Sequence, residues 1–245
     1  MATTDTAPRT PYRGKTTKAE RTRAHILETA LSLFREHGYD GATMRRIAEA
    51  AGVSAGSAYY YFPSKEHLIQ GFYARSHVEH LEFADPILDR ETKFEDRLLG
   101  VLRAKFDTAA PYHAFSAGLF KTAADPASPL SPFSPESAPT RRDATALFAR
   151  VLDGTRIRRT GALYAELPNL LWLYQMGLIL FWVHDRSPGQ ARSHRLAERT
   201  VPIVCRLIRL GGNPLLAPLV RSVLRLLSDL RSLEAPNGEV KPATS

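Results

Sequence analysis

The chain has 245 residues, 44% of them apolar, and carries 33 lysines and arginines against 25 acidic residues. That length suits one large or two modest domains with a buried core, and the apolar share excludes a chain disordered throughout. The net charge of +8 points to a polyanionic partner, nucleic acid or an anionic membrane surface. A single cysteine, Cys205, excludes an internal disulfide framework and a cysteine-rich zinc site, so a reducing compartment, the cytoplasm, is the expectation.

In chain order, residues 1–16 are polar and include Arg9, Arg13 and Lys15. They read as a disordered basic arm, and with no apolar h-region no signal peptide is expected. Thr17-Lys18-Ala19-Glu20 is a capping box. The helix it opens places Ile26, Leu27, Ala30, Leu33 and Phe34 on one face, and Gly38 ends it. Thr43 caps a second short helix with Met44, Ile47, Ala48 and Ala51 inward. Gly52 breaks it, Ser54 caps a third helix running through Tyr61, and Phe62-Pro63 stops that one. Ser64 opens a fourth helix, 64–84, with Leu68, Ile69, Phe72 and Val78 expected inward.

Beyond Asp85-Pro86 the pattern predicts helices over 92–109, 111–124, 140–155, 162–184, 190–210 and 213–234. Residues 126–140, PASPLSPFSPESAPT, read as a mobile loop or lid. No strand alternation and no internal repeat stand out, and the tail from Pro236 is polar. The uncharged run from Leu167 to Val183 is seventeen residues long and holds Pro168, Asn169 and Gln175. A spanning helix wants about 20 apolar residues, so a buried core or interface helix is expected instead. The chain is therefore read as all-α. It divides into an arm over 1–16, a helix-turn-helix domain over 17–65, a larger helical ligand-binding and dimerisation domain over 66–234, and a tail over 235–245.

Two compact helices joined by Ala50-Ala51-Gly52-Val53-Ser54 form a helix-turn-helix, whose second helix is sized for the DNA major groove. The stretch RTRAHILETALSLFREHGYDGATMRRIAEAAGVSAGSAYYYFPSKEHLI, from Arg21 to Ile69, resembles the DNA-binding domain of the TetR family of bacterial transcriptional regulators. Its spacing, caps and turn all agree with that pattern. The resemblance implies a recognition helix over 55–61 that presents Ser54, Ala55, Ser57, Tyr59 and Tyr60. Ser54 and Ser57 are suited to base edges or phosphates, and the Ala55 methyl to a thymine methyl. Tyr59, Tyr60 and Thr43 are suited to phosphates, with Arg45 and Lys65 as charge partners. Position 55 often carries a longer polar residue in relatives, which shifts base readout toward Ser54, Ser57, Arg46 and the arm. Arg46 and the arm have equally ordinary readings as solvated surface, while Tyr61 and Phe62 are expected in the core.

The resemblance further implies a homodimer through helices 162–184 and 190–210, reading a palindromic double-stranded DNA operator. It also implies a hydrophobic small-molecule effector that relieves repression. Candidate lining residues are Phe106, Tyr112, His113, Phe115, Phe120, Trp172, Gln175 and Met176. On the 190–210 helix, Ala197, Val201, Val204, Cys205 and Ile208 form the apolar face, with five arginines outside it. A membrane-surface protein using the arm and the apolar run is the alternative reading. No cofactor, metal or catalytic residue is expected. Gly52-Val53-Ser54-Ala55-Gly56 mimics a nucleophile elbow without the strand that motif needs. His77, Glu79, His80 and Glu82 form either a solvated face or a metal-capable one.

Overall fold

The computed structural model describes residues 17–155, 157, 162–211, 218, 222 and 225. The basic arm, the tail and most of the predicted 213–234 helix lie outside these. Pro218, Ser222 and Arg225 within that last helix are helical. Among the described residues there is no strand, and no helix is long and apolar enough to cross a membrane. The chain folds as two compact units that part between Phe72 and Tyr73.

The first unit is built on α1 (Lys18–Gly41), α2 (Met44–Ala50), α3 (Ala55–Tyr61) and the start of α4 (Lys65–Arg90). The capping box forms at both ends: the Thr17 amide donates to Glu20 Oε2 at 2.6 Å, and the Glu20 amide to Thr17 Oγ1 at 3.2 Å. Gly38 breaks α1 with a positive φ of 72°, and helical residues resume to Gly41. Ile26, Ala30, Phe34, Ile47, Ala48, Ala58 and Phe62 are buried together with Leu68 and Ile69. A side chain at Gly71 would approach Phe62 and Leu27, so α4 packs close here, and Phe72 is still buried with this unit. That packing carries the first unit past the 65/66 boundary expected from sequence.

The second unit holds the rest of α4, then α5 (Phe94–Ala109), a 3₁₀ turn (Ala110–Tyr112), α6 (His113–Ala123), α7 (Ala138–Asp153), α8 (Ala162–His184), a 3₁₀ turn (Pro188–Gln190) and α9 (Ala191–Gly211). Its core joins Leu88, Leu98, Val101, Phe106, Phe148, Val151, Leu171, Trp172, Trp182 and Val201. The apolar run at 167–183 is thus mainly core helix, with Leu180 and Phe181 left exposed.

Three expectations are corrected. Pro86 does not end α4, which runs on to Arg90. Buried Ala84 and Leu88 hold that last stretch, and the Arg97 guanidinium donates to the carbonyls of Leu88 and Glu91. Val78 is 55% exposed rather than inward. The stretch 126–140, read from sequence as a mobile loop or lid without an evident repeat, carries three Ser-Pro-X triplets over 128–136 and gives way to α7 at Ala138. It winds as successive turns, with the amides of Ser128, Ser131 and Ser134 each donating to the carbonyl three residues earlier. Ser128, Ser131, Ser134 and Ser137 are all buried, so the segment packs as a strap.

Arg97 is the hub of the second unit. Besides α4 it serves α7, donating from Nε to the Val151 carbonyl at 3.0 Å and from Nη2 to that of Arg150 at 2.7 Å. Gly154 sits against it: a Cβ there would lie 2.4 Å from Arg97 Cζ. Arg97→Leu strands several buried carbonyls and is expected to cost about 3 kcal/mol in chemical denaturation. Gly154→Ala should destabilise through the clash.

Asp185, between α8 and α9, is buried. Burial alone would raise its pKa, but the amides and hydroxyls of Ser187 and Ser193 all donate to it and hold it well below the usual carboxylate range. Its contribution is therefore full above the unfolded value, about 4, and is lost as acid protonates the folded carboxylate. Stability-against-pH curves should show wild type losing an acid-dependent increment that Asp185→Asn has already lost at neutral pH.

Candidate nucleic-acid interface

The α2–turn–α3 unit is fixed by hydrogen bonds rather than by length. Thr43 Oγ1 accepts from the Arg46 amide at 3.2 Å, and Ser54 Oγ accepts from the Ser57 amide at 3.1 Å. Between them, Gly52 adopts φ 65°, and the amides of Gly52 and Val53 donate to the carbonyls of Glu49 and Ala48. Gly52-Val53-Ser54 follows a helix, so the esterase-like spelling marks a helix cap. His25 Nε2 donates to the Ala51 carbonyl at 3.2 Å, tying α1 to the end of α2.

Burial sorts α3 cleanly. Ala58 and the following Phe62 point inward, and Arg23 lies 4.6 Å over the Phe62 ring. Ser54, Ala55, Tyr59 and Tyr60 are exposed, Tyr60 at 82%, while Ser57 is half-buried. Tyr61 is half-buried and packs edge-on against Tyr60. On α2 and its cap, Arg45 is exposed and so is Arg46, with Thr43 beside them. Arg46 Nη2 donates to His37 Nε2 at 2.8 Å, which directs that guanidinium along α1. Lys65 is engaged within the protein: its ammonium donates to the Tyr39 carbonyl at 2.9 Å and stands 4.2 Å over the Tyr39 ring. The Tyr39 hydroxyl in turn donates to Glu66 at 2.9 Å. A hydroxyl-bearing face with arginines on the adjoining helix can donate to phosphates and reach into a groove.

Of the eight lining candidates, Phe106 and Trp172 lie in the core of the second unit, and Phe120 and Met176 pack against it. Phe106 packs edge-on with His194, His113 with Trp182, Phe120 with His184, and Trp172 with Phe133 of the strap. The Tyr112 hydroxyl accepts from Arg75 at 3.0 Å, and His113 Nε2 donates to the Trp182 carbonyl at 2.8 Å. Phe115 is buried and Met176 half-buried. Gln175 differs from the rest: it is 5% exposed, and its Oε1 has no hydrogen-bond partner among the described residues. Trp182 Nε1, two turns further along the same face of α8, is likewise unpartnered.

His77 and His80 do not form a solvated face. Both are buried, and among the described residues no group of three metal-ligating side chains occurs. His80 Nε2 donates to the Val101 carbonyl at 2.8 Å, while burial, then nearby Lys105, lowers its pKa to about 3. The sequence pattern hides this because the two histidines share a helix with charged neighbours, Glu79 and Glu82.

Comparison with known proteins agrees with this architecture. Residues 26–71 match the family described as bacterial regulatory proteins, tetR family, and residues 97–228 the tetracyclin repressor-like C-terminal domain. The chain belongs to the TetR family. It is 36% identical over 102 residues to the HTH-type transcriptional repressor AcnR of Corynebacterium efficiens, covering 42% of this chain and 50% of that protein. With the repressor KstR2 of Mycobacterium tuberculosis it shares 34% over 94 residues, 38% and 46% of the two chains. The chain thus spans about half the length of the curated relatives it matches. In fold it is similar to a TetR regulator from Nitrosomonas europaea, with TM-score 0.57, 17% identity and coverage of 74% and 96%. It is also similar to Thermus thermophilus FadR in complex with lauroyl-CoA, with TM-score 0.55, 21% identity and coverage of 73% and 92%.

The burial pattern makes two stability outcomes distinct. Phe62→Ala empties a core site and should cost about 3–5 kcal/mol in denaturation. Tyr60→Phe touches an exposed hydroxyl and should change stability by less than about 0.5 kcal/mol.

Proposed function

We propose that this chain is a cytoplasmic, ligand-relieved transcriptional repressor that binds a palindromic operator as a homodimer. The observation that carries the DNA reading is the exposed hydroxyl face of α3, with Ser54, Ala55, Tyr59 and Tyr60 outward around a buried Ala58. Tyr59, Tyr60 and Thr43 meet phosphates, Arg45 and Arg46 supply charge, and Ser54, Ser57 and Ala55 face base edges. Lys65 contributes by capping the end of α1 more than by touching DNA, since its ammonium is already engaged.

Dimerisation through α8 and α9 is supported by an apolar stripe on α9. Ile203, Leu207 and Leu210 recur at helical spacing and are each more than half exposed, and Leu180 and Phe181 of α8 are exposed too. Such a stripe suits an isologous two-fold contact. Two copies whose recognition helices stand about 34–36 Å apart would enter successive major grooves. An effector held in the second unit would act by favouring a different spacing, transmitted along α4, the helix common to both units. The orphaned Gln175 Oε1 and Trp182 Nε1 support a ligand beside α8, one offering an acceptor and the other a donor. The lauroyl-CoA bound by Thermus thermophilus FadR is a guide to the apolar acyl part of such an effector.

Gel shifts with the DNA upstream of the protein's own gene test the reading. Affinity should fall steeply with salt as phosphate contacts release counterions, and a flat salt response overturns it. Tyr60→Phe should weaken binding by a similar factor across operator variants, whereas loss confined to one base position would contradict a phosphate role.

A further inference from the structure

One group of buried polar side chains takes no part in the scheme above. Within the second unit, α4 and α5 run antiparallel along paired faces. Ala84 and Leu88 of α4 and Leu98 and Val101 of α5 make one end of this seam apolar. The other end is polar, with Tyr73, Ser76, His77 and His80 on α4 and Lys105, Thr108 and Tyr112 on α5 and the turn after it. Ser76, His77, His80, Thr108 and Tyr112 are all buried.

Most of these are satisfied. His80 donates to the Val101 carbonyl, Thr108 to that of Ala104, Tyr73 to that of Leu130 in the strap, and Tyr112 accepts from Arg75. Two are not. Lys105 is half-buried between the buried Val101 and Thr108 on α5, and its ammonium has one hydrogen-bond partner among the described residues, Ser76 Oγ at 3.0 Å. His77 is 8% exposed and makes no hydrogen bond among the described residues. The carboxylates that face the pair do not neutralise them: Glu79 is bound to Arg75 at 2.7 Å, and Asp143 of α7 is an exposed side chain acting on His77 at a distance. The remaining charged neighbour, Arg75, is itself positive. Burial pushes the Lys105 ammonium down to about 8, and burial, then Lys105, pushes His77 down as well.

A half-buried ammonium with a single hydroxyl partner, beside an imidazole that makes no hydrogen bond among the described residues, can receive an oxyanion. We propose that Lys105, His77 and Ser76 bind the carboxylate of an apolar, monoanionic acid. This assignment rests on the effector reading above and specifies its chemistry. One unpaired positive charge matches one negative charge, so a carboxylate fits better than a phosphate dianion. The apolar side chains of Ala84, Leu88, Leu98 and Val101 adjoin this polar end and would flank the rest of such a molecule.

Calorimetry on the full-length protein with octanoate, octanol and octyl phosphate tests it, alongside Lys105→Met and Lys105→Arg. Octanoate should bind wild type at least tenfold more tightly than octanol or octyl phosphate. Lys105→Met should lose that preference while binding octanol as wild type does, which shows the apolar part intact, and Lys105→Arg should keep part of it. Equal binding of acid and alcohol by wild type, tighter binding of the phosphate, a preference that survives Lys105→Met, or no binding of octanoate each overturns the assignment. Gel shifts run in parallel separate the two readings. Octanoate binding without release of DNA leaves the carboxylate site standing and sinks the effector mechanism, whereas release by octanol as readily as by octanoate does the reverse.

Discussion

A helix of two turns cannot stand alone in water, and the proposed DNA-reading face is built from two of them. α2 and α3 are seven residues each, far below the length at which backbone hydrogen bonds offset nucleation. Their persistence depends on what they bury. Ile47 and Ala48 of α2, Ala58 of α3 and Phe62 after it close against α1, and the Thr43 and Ser54 hydroxyls occupy amides that would otherwise be orphaned. The same arrangement determines the outer face. Once Ala58 must point inward, Ser54, Ala55, Tyr59 and Tyr60 have only solvent, or a groove, to face. Exposed tyrosines are tolerated here because the side chains that stabilise the unit are different ones.

The larger unit meets a related problem at its helix ends. Helices that stop inside a protein leave carbonyls without partners, and here one guanidinium serves the ends of two, α4 and α7. Asp185 does the converse near the start of α9, where serine amides and hydroxyls converge on its carboxylate. Both are buried charges retained through multiple hydrogen bonds. Lys105 stands apart because it has a single hydroxyl for company. Lys105 is half-buried, and this contrast is what the proposed carboxylate site at the polar end of the α4–α5 seam rests on.

Much of the first unit is legible in the sequence, because its signals are local. Capping boxes, glycine turns and 3.6-residue periodicity act over three to eight residues, and Thr17, Gly38, Thr43, Gly52 and Ser54 each occupy the position their chemistry suggests. Sequence and structure part where a distant residue overrides a local preference. Pro86 would end a helix on its own terms, yet α4 continues because Arg97 and the core hold its last turn. The prolines of 128–136 suggest a mobile loop, but the serines between them turn inward and bond the backbone. Acidic neighbours make His77 and His80 look solvent-facing, whereas α5 covers that side of α4.

The sequence by itself determined the all-helical class, the turn between α2 and α3, and which hydroxyls lie on the outer side of α3, since helix period and caps depend on neighbours along the chain. Only the tertiary structure decided that Lys65 belongs to the end of α1, that Arg97 joins two helix termini, and that Lys105 and His77 come together between α4 and α5. Those outcomes require side chains far apart in sequence to share one place, and burial and unpaired charge are properties of the surroundings rather than of the residue.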